Sequence, residues 1–286
     1  MVKKGIILAG GLGTRLSPLT KGVNKQLLPI YDKPLIFYPL SILMLANIKD
    51  ILIIVNPGQT ENFRNLLGDG KRFGIKIQYK VQKKPKGLPE AFVLGKNFIK
   101  KDNVALILGD NFFYGQSLTA KLEKSLEHNR GARIFLKRVN KPENFGVAKI
   151  NKNIIVKLSE KPKKFISNYA ITGLYFFDNN VIKYAKKLKP SKRGELEITD
   201  LLQKYKKKQE LRFEHLGRGA IWSDAGKIDD MTNVSSFVQS VEKVQDIKIA
   251  CLEEIALNKK WLDKKKILKN IKFYGNCEYS NYLKKI

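Results

Sequence analysis

The sequence predicts an α/β fold: a doubly wound, mostly parallel sheet, with shorter strands inserted after it and a helical C-terminal region. Three observations carry this expectation. Apolar strand-like runs alternate with stretches of helical period over the first half of the chain. From about Phe145 the runs become shorter, and after Asp229 the pattern is mainly helical.

In order, the strands are expected at 5–9, 50–55, 76–81, 104–108 and 133–139, with helices at 34–46, 60–67, 89–98 and 118–129 between them. Right-handed crossovers then wind the chain into a Rossmann-like sheet, whose ligands collect beyond the carboxyl ends of the strands. The shorter strands at 147–150, 154–158 and 173–177 read as a lid or substrate subdomain set on that core. No repeat, low-complexity tract or Pro/Gly/Ser-rich linker interrupts the chain. The expected division is therefore a core over 1–230 and a helical region over 231–286 that does not fold alone.

A chain of 286 residues with 43% apolar content can bury a large core, and disorder is not expected. No apolar run reaches the roughly 18–20 residues that cross a bilayer, and Met1-Val2-Lys3-Lys4 leads straight into a strand, so a cytoplasmic protein without a membrane partner is expected. Cys251 and Cys277 have neither a metal-binding spacing nor a disulfide framework and read as structural thiols. The net charge of +29 favours polyanions in general. Yet lysine far outnumbers arginine and is spread in groups such as Lys206-Lys207-Lys208, which reads as solvated faces rather than a nucleic-acid site.

The strand ending Leu8-Ala9 breaks into Gly10-Gly11-Leu12-Gly13-Thr14-Arg15-Leu16. Three glycines within four residues let backbone N–H groups approach a polyanion, and Arg15 adds a permanent forked cation. Taken alone, the glycines equally describe a tight turn. No Gly-Lys-Ser/Thr follows, and Leu16 stands where the dinucleotide fingerprint has its third glycine, so a different phosphate loop is required. Lys25 brings a second cation within reach. Asp110 ends the apolar run that starts at Val104; a carboxylate there is costly to bury unless a cation meets it, and a strand-end cap is the alternative. Asp224 sits in a comparable setting, Gly219-Ala220-Ile221-Trp222-Ser223-Asp224-Ala225-Gly226. Two carboxylates with phosphate oxygens make a natural shell for Mg2+. Glu160-Lys161-Pro162 follows a short strand, and the proline biases Lys161 towards an extended backbone; a surface pair is its default reading.

Gly10 to Leu16 followed by Lys25-Gln26-Leu27-Leu28-Pro29 resembles the signature of the sugar-phosphate nucleotidyltransferases. The likeness continues through Leu67-Gly68-Asp69-Gly70, Tyr79-Lys80-Val81-Gln82, Leu108-Gly109-Asp110-Asn111, Glu160-Lys161-Pro162, Asn168 to Tyr175 and Arg193 to Asp200, in the same order over nearly the whole chain. Gln26 and Tyr31-Asp32-Lys33-Pro34 resemble the members that use dTTP and glucose 1-phosphate, rather than the UTP users with Lys-Glu in place of Lys25-Gln26; uridylyl transfer is the alternative reading. The resemblance implies a nucleotide site of Leu8, Gly10, Gly11, Gly13, Thr14, Arg15, Lys25, Gln26, Gln82 and Gly87, with Arg15, Lys25 and Lys161 catalytic. It implies a sugar pocket of Asn111, Gly146, Glu160, Lys161 and Ile171, and Mg2+ on Asp110 and Asp224. It also implies a homotetramer whose second nucleotide site involves Tyr114, Gly115, Arg218, Glu254 and Ile255 and answers to a deoxysugar nucleotide such as dTDP-rhamnose. The chain departs from the pattern at Ala225, Lys227 and Ile228, at Phe145 where tyrosine is frequent, and at Gln116 and Lys259.

The chemistry follows from the groups present. A sugar 1-phosphate, with a second pKa near 6, is mostly a dianion at neutral pH and needs no general base. Neither His128 nor His215 sits in a nucleophile motif. What must be overcome is repulsion between two polyanions and the entropy of aligning them, which cations and a rigid cleft address.

Overall fold

The computed structural model describes residues 2–11, 13–127 and 130–286. Leu12 of the glycine turn, His128 and the last residue of the helix expected at 118–129 lie outside them. Nine strands form one sheet: β1 Val2–Ala9, β2 Asp50–Val55, β3 Lys76–Val81, β4 Asn103–Leu108, β5 Ala132–Arg138, β6 Gly146–Asn151, β7 Ile154–Glu160, β8 Tyr169–Phe177 and β9 Leu211–His215. The order is β7-β6-β8-β4-β1-β2-β3, with β5 along the opposite edge of β8 and β9 outside β5.

Strands β3, β2, β1 and β4 are parallel neighbours. The apolar runs of β1, β2 and β4 are buried on both faces, as a parallel sheet covered by helices requires, whereas the edge strand β3 alternates and leaves Lys76, Gln78, Lys80 and Val81 exposed. The period-two alternation divides them: Ile7, Ile53 and Val55 pack with helices Phe37–Leu45 and Leu252–Asn258, while Ile6, Leu52 and Ile54 pack with Phe92 and helix Ile198–Lys207.

The shorter strands are not a lid set upon the core. β8 lies in the middle of the same sheet, antiparallel to β4, β5 and β6. Its residues 174–177 pair with β4, and Ala170 pairs with Val147 of β6 along the same edge. One long strand thus carries the sheet past Leu108, where β4 stops, and the break opens a cleft. The helix expected at 89–98 is two, Glu90–Leu94 and Lys96–Ile99, because the chain leaves helical geometry at Gly95, packed closely on Ile6 and Leu52. Helix Phe37–Leu45 starts later than expected because Pro34 pairs with Pro29 in a short hairpin.

Helix Ile228–Gln245 packs over that hairpin in a third apolar cluster that contains Leu16, Leu28, Ile30, Ala225, Met231 and Val234. The Arg15 turn, the Lys25 segment and the chain after Asp224 therefore share one support. Beside it four charges close a nearly buried ring. Lys33 pairs with Asp32 and with Glu242 at 2.9 Å; Lys248 pairs with Asp32 and with Glu242 at 3.2 Å. The Ile249 amide donates to Glu242 at 2.8 Å. Cys251 is buried, whereas exposed Cys277 accepts from the Ser280 amide at the start of the last helix.

Glu242→Ala leaves Lys33 buried with one partner fewer and should cost about 3–5 kcal/mol in denaturant unfolding. The double variant Lys33→Met/Glu242→Leu should recover a substantial part of that loss, because it removes the charges at both ends of one bond.

Candidate active site

Just past its carboxyl end β1 enters the turn at Gly10, and the other strands of the parallel half each deliver a polar residue: Asn56 after β2, Gln82 after β3 and Asp110 after β4. Asn56 latches the glycine turn, accepting from the Gly11 amide at 3.1 Å and donating to the Gly11 carbonyl at 2.8 Å. Gln82 is buried, with its amide nitrogen donating to Glu90 at 2.7 Å and its oxygen against Gly10. Its amide is thus oriented by Glu90 and is not an exposed strand end. Arg15 rides on the short turn Thr14–Leu16, anchored by fully buried Leu16. Asn24 caps the next turn by accepting from the Gln26 amide. There Gln26 is buried, and its side-chain oxygen accepts no hydrogen bond.

Lys25 is where the two halves meet. Its ammonium lies 2.6 Å from Asp110 Oδ2 and 3.4 Å from the Asp224 carbonyl. Asp224 is pushed above the ordinary carboxylate range first by burial and then by the charge of Asp110, against the pull of Lys25 and Arg15. The Arg15 guanidinium passes so close to Gly226 that a Cβ there would lie 3.0 Å from it and 3.1 Å from Asp224 Oδ2. Arg15, Lys25, Asp110 and Asp224 are therefore one cluster.

A contact chain runs from this cluster to a second. Asn111 donates to Asp110 at 2.9 Å, and its oxygen accepts from the Gly173 amide at 3.0 Å and the Trp222 indole at 2.7 Å. The Trp222 ring packs on Phe145, whose carbonyl accepts from the Lys161 amide at 3.0 Å. Arg15, Asp110 and Asp224 of the first cluster and the contact chain line one cavity of about 620 Å³, which also takes in Gly146, Glu160, Lys161 and Ile171, while buried Lys25 backs it through Asp110. The extended backbone expected for Lys161 is not adopted. Its φ is +37°, because that amide is turned into the bond with Phe145.

Glu160 is half-buried, Thr199 donates to it at 3.3 Å, and Arg193 lies between it and Glu197 at 4.0 and 3.5 Å. Burial and then the Glu197 charge raise its pKa. Gly87, at φ +102°, is strapped under the same wall: a Cβ there would meet the Leu196 carbonyl at 2.1 Å, and the Leu196 amide donates to Lys86 at 2.8 Å. Of the nucleotide group, Leu8, Gly10, Gly11, Gly13 and Thr14 lie in or beside the turn after β1, adjoining this cavity through Arg15.

The residues expected at a second nucleotide site are only partly gathered. Tyr114 pairs with Ile221 in a two-stranded ribbon, Gly115 lies against Ala220, and Arg218 is exposed on the adjoining turn. Glu254 and Ile255 stand on helix Leu252–Asn258, where Glu254 accepts from Tyr282 at 2.7 Å and Ile255 packs on the main core.

Sequence reasoning gave no role to Asn56, Glu90, Trp222 or Asp230. Asn56 carries the same signal as Asp110, a polar residue directly after an all-apolar strand. The partnership of Trp222 with Asn111 spans 111 positions and leaves no local trace.

Strand-end groups converging on a glycine turn, with paired carboxylates in a cleft, are the arrangement expected of a transferase that works on phosphorylated nucleotides. The chain belongs to the nucleotidyl transferase family, whose profile matches residues 4–241. It is 51% identical over 281 residues to the glucose-1-phosphate thymidylyltransferase of Neisseria meningitidis, with 98% of each chain covered. It is 46% identical over 282 residues to that of Xanthomonas campestris, covering 98% of this chain and 96% of the relative. Among solved structures, a Bacillus anthracis chain in complex with sucrose matches with a TM-score of 0.79 and 38% identity, covering 88% of this chain and 99% of that one. A UDP-glucose pyrophosphorylase complexed with UDP-glucose matches with a TM-score of 0.73 and 25% identity, covering 84% of this chain and 100% of that one.

Because the folded state raises the Glu160 pKa, it holds this proton more readily than the unfolded chain does, so the ionised carboxylate works against folding as pH rises through that range. Glu160→Gln should therefore raise the melting midpoint more at about pH 8 than at about pH 4. NMR titration should also find the Glu160 midpoint lowered in Glu197→Gln.

Proposed function

We propose that this chain transfers the thymidylyl group of dTTP to glucose 1-phosphate, giving dTDP-glucose and pyrophosphate. The carrying observation is one cavity in which Arg15, Asp110 and Asp224, with Lys25 paired to Asp110, face Glu160 and Lys161. One cluster is suited to a nucleoside triphosphate, the other to a sugar phosphate. The thymidylyltransferase names of the relatives at 46–51% identity supply the particular substrates.

A phosphate oxygen of glucose 1-phosphate attacks the α-phosphorus; the bond from that phosphorus to the bridging oxygen breaks, and pyrophosphate departs on the opposite side. No proton need be removed from the dianionic nucleophile. Lys161 and Glu160 hold the phosphate and hydroxyls of the sugar. Arg15 and the amides of the glycine turn hold the triphosphate, and Lys25 shares its charge between Asp110 and the nucleotide. Gln82, fixed by Glu90, presents its amide to the thymine edge, while the unpartnered oxygen of Gln26 can accept from the nucleoside. Fixing both reactants in one cleft supplies roughly 7–11 kcal/mol of the barrier reduction.

Asp110 and Asp224 suit Mg2+: two carboxylates, with the Asp224 pKa lifted by burial and then by the Asp110 charge, beside a cavity wide enough for phosphate oxygens and water. When bound, Mg2+ supplies charge neutralisation at the reacting phosphate. The same proposal includes the homotetramer, the effector response and a cytoplasmic location.

The test is pyrophosphate release with glucose 1-phosphate and Mg2+, comparing dTTP with UTP, CTP, ATP and GTP. Release should be fastest with dTTP, and UTP should trail by no more than about 1–3 kcal/mol, the discrimination available from one methyl. A clear preference for UTP would overturn the thymidylyl assignment. Arg15→Ala should lower kcat by about 100- to 1000-fold, and a rate within threefold of the parent would remove Arg15 from the mechanism.

A further inference from the structure

Three carboxylates stand at the nucleotide end of the cavity. Asp110, Asp224 and Asp230 all line it, and Asp230 is close enough to add to the raised pKa of Asp224. Against them stand three cations, Arg15, Lys25 and Lys227. Lys25 is already committed to Asp110 at 2.6 Å. Among the described residues, neither Arg15 nor Lys227 forms an ion pair. Without Lys227 the side chains at this end carry three formal negative charges against two positive ones before any metal ion is bound.

The backbone explains why Lys227 reaches the site. Ala225, fully buried at φ +37°, turns the chain back after Asp224, and Gly226 then passes beside the Arg15 guanidinium and the Asp224 carboxylate. Lys227 follows at once, as the extended residue before helix Ile228–Gln245. Its position is fixed by the same turn that places Asp224, yet its side chain is exposed whereas Lys25 is buried. A flexible ammonium on the solvent side of the cluster suits the outermost phosphates of a nucleotide better than a reacting group held deeper in the cavity.

We infer that Lys227 is a binding residue that holds the terminal phosphates of the triphosphate and the pyrophosphate formed from them, a role separate from that of Lys161 at the sugar end. The inference rests on the nucleotidyl-transfer reading. It adds that this chain grips its leaving group with a cation from the segment directly after Asp224.

The test pairs kinetics with binding. In the direction that consumes pyrophosphate and dTDP-glucose, Lys227→Ala should raise KM for pyrophosphate by about tenfold, the scale of one charge-assisted contact. KM for dTDP-glucose should stay within twofold, and Lys227→Arg should restore most of the loss. Calorimetric titration of the whole protein with inorganic tripolyphosphate, in the absence of metal, should show the same order of weakening, with unchanged melting midpoints establishing that the variants are folded. An unchanged pyrophosphate KM, or a loss confined to dTDP-glucose, would overturn the inference. If the parent protein shows no turnover, the nucleotidyl-transfer reading fails while the tripolyphosphate titration still decides whether Lys227 binds polyphosphate.

Discussion

The contact between Lys25 and Asp110 is the interaction on which the site depends. It joins the segment after the glycine turn to the end of β4, 85 positions away, at 2.6 Å. Both side chains would be costly to bury alone, and each lowers the cost of the other. Asp110 then orients Asn111, Asn111 orients Trp222 and Gly173, and Trp222 supports Phe145 beneath Lys161. The Lys25–Asp110 pair and the Lys161 backbone are thereby held by one continuous set of hydrogen bonds and ring contacts. In a network of this kind the worth of each bond depends on its neighbours.

The sheet supplies the space that the network fills. A purely parallel sheet would end its strands at a common level. Here β8 runs antiparallel through the middle and pairs first with β6 and then with β4. The exit of β4 is thus walled on one side by the strands that carry Gly146, Glu160 and Ile171. These three residues are thus set on the main sheet, and their positions are fixed by backbone ladders.

Charge is distributed within the same frame. The ring of Asp32, Lys33, Glu242 and Lys248 ties helix Ile228–Gln245 to the hairpin after Lys25. Since the turn at Asp224 leads directly into that helix, the ring braces the Asp224 side of the Asp110–Asp224 pair. Much of the large positive charge lies elsewhere, on exposed lysines such as Lys264, Lys265 and Lys266, in keeping with solvated faces.

The sequence by itself determined whatever has a local cause. Strands β2 and β3 and helix Thr60–Leu67 were legible to the residue, because their apolar periods and end signals lie within each segment. Arg15, Asp110, Asp224 and Glu160 were legible as candidates because charged residues beside glycines and apolar strands need a reason to be there. The tertiary structure alone decided the mixed sheet, the positive φ of Lys161, the break at Gly95 and the grip of Glu90 on Gln82. Each of these depends on a partner distant along the chain or outside the periodic pattern, and local propensity is worth less than the hydrogen bond or close packing that overrides it.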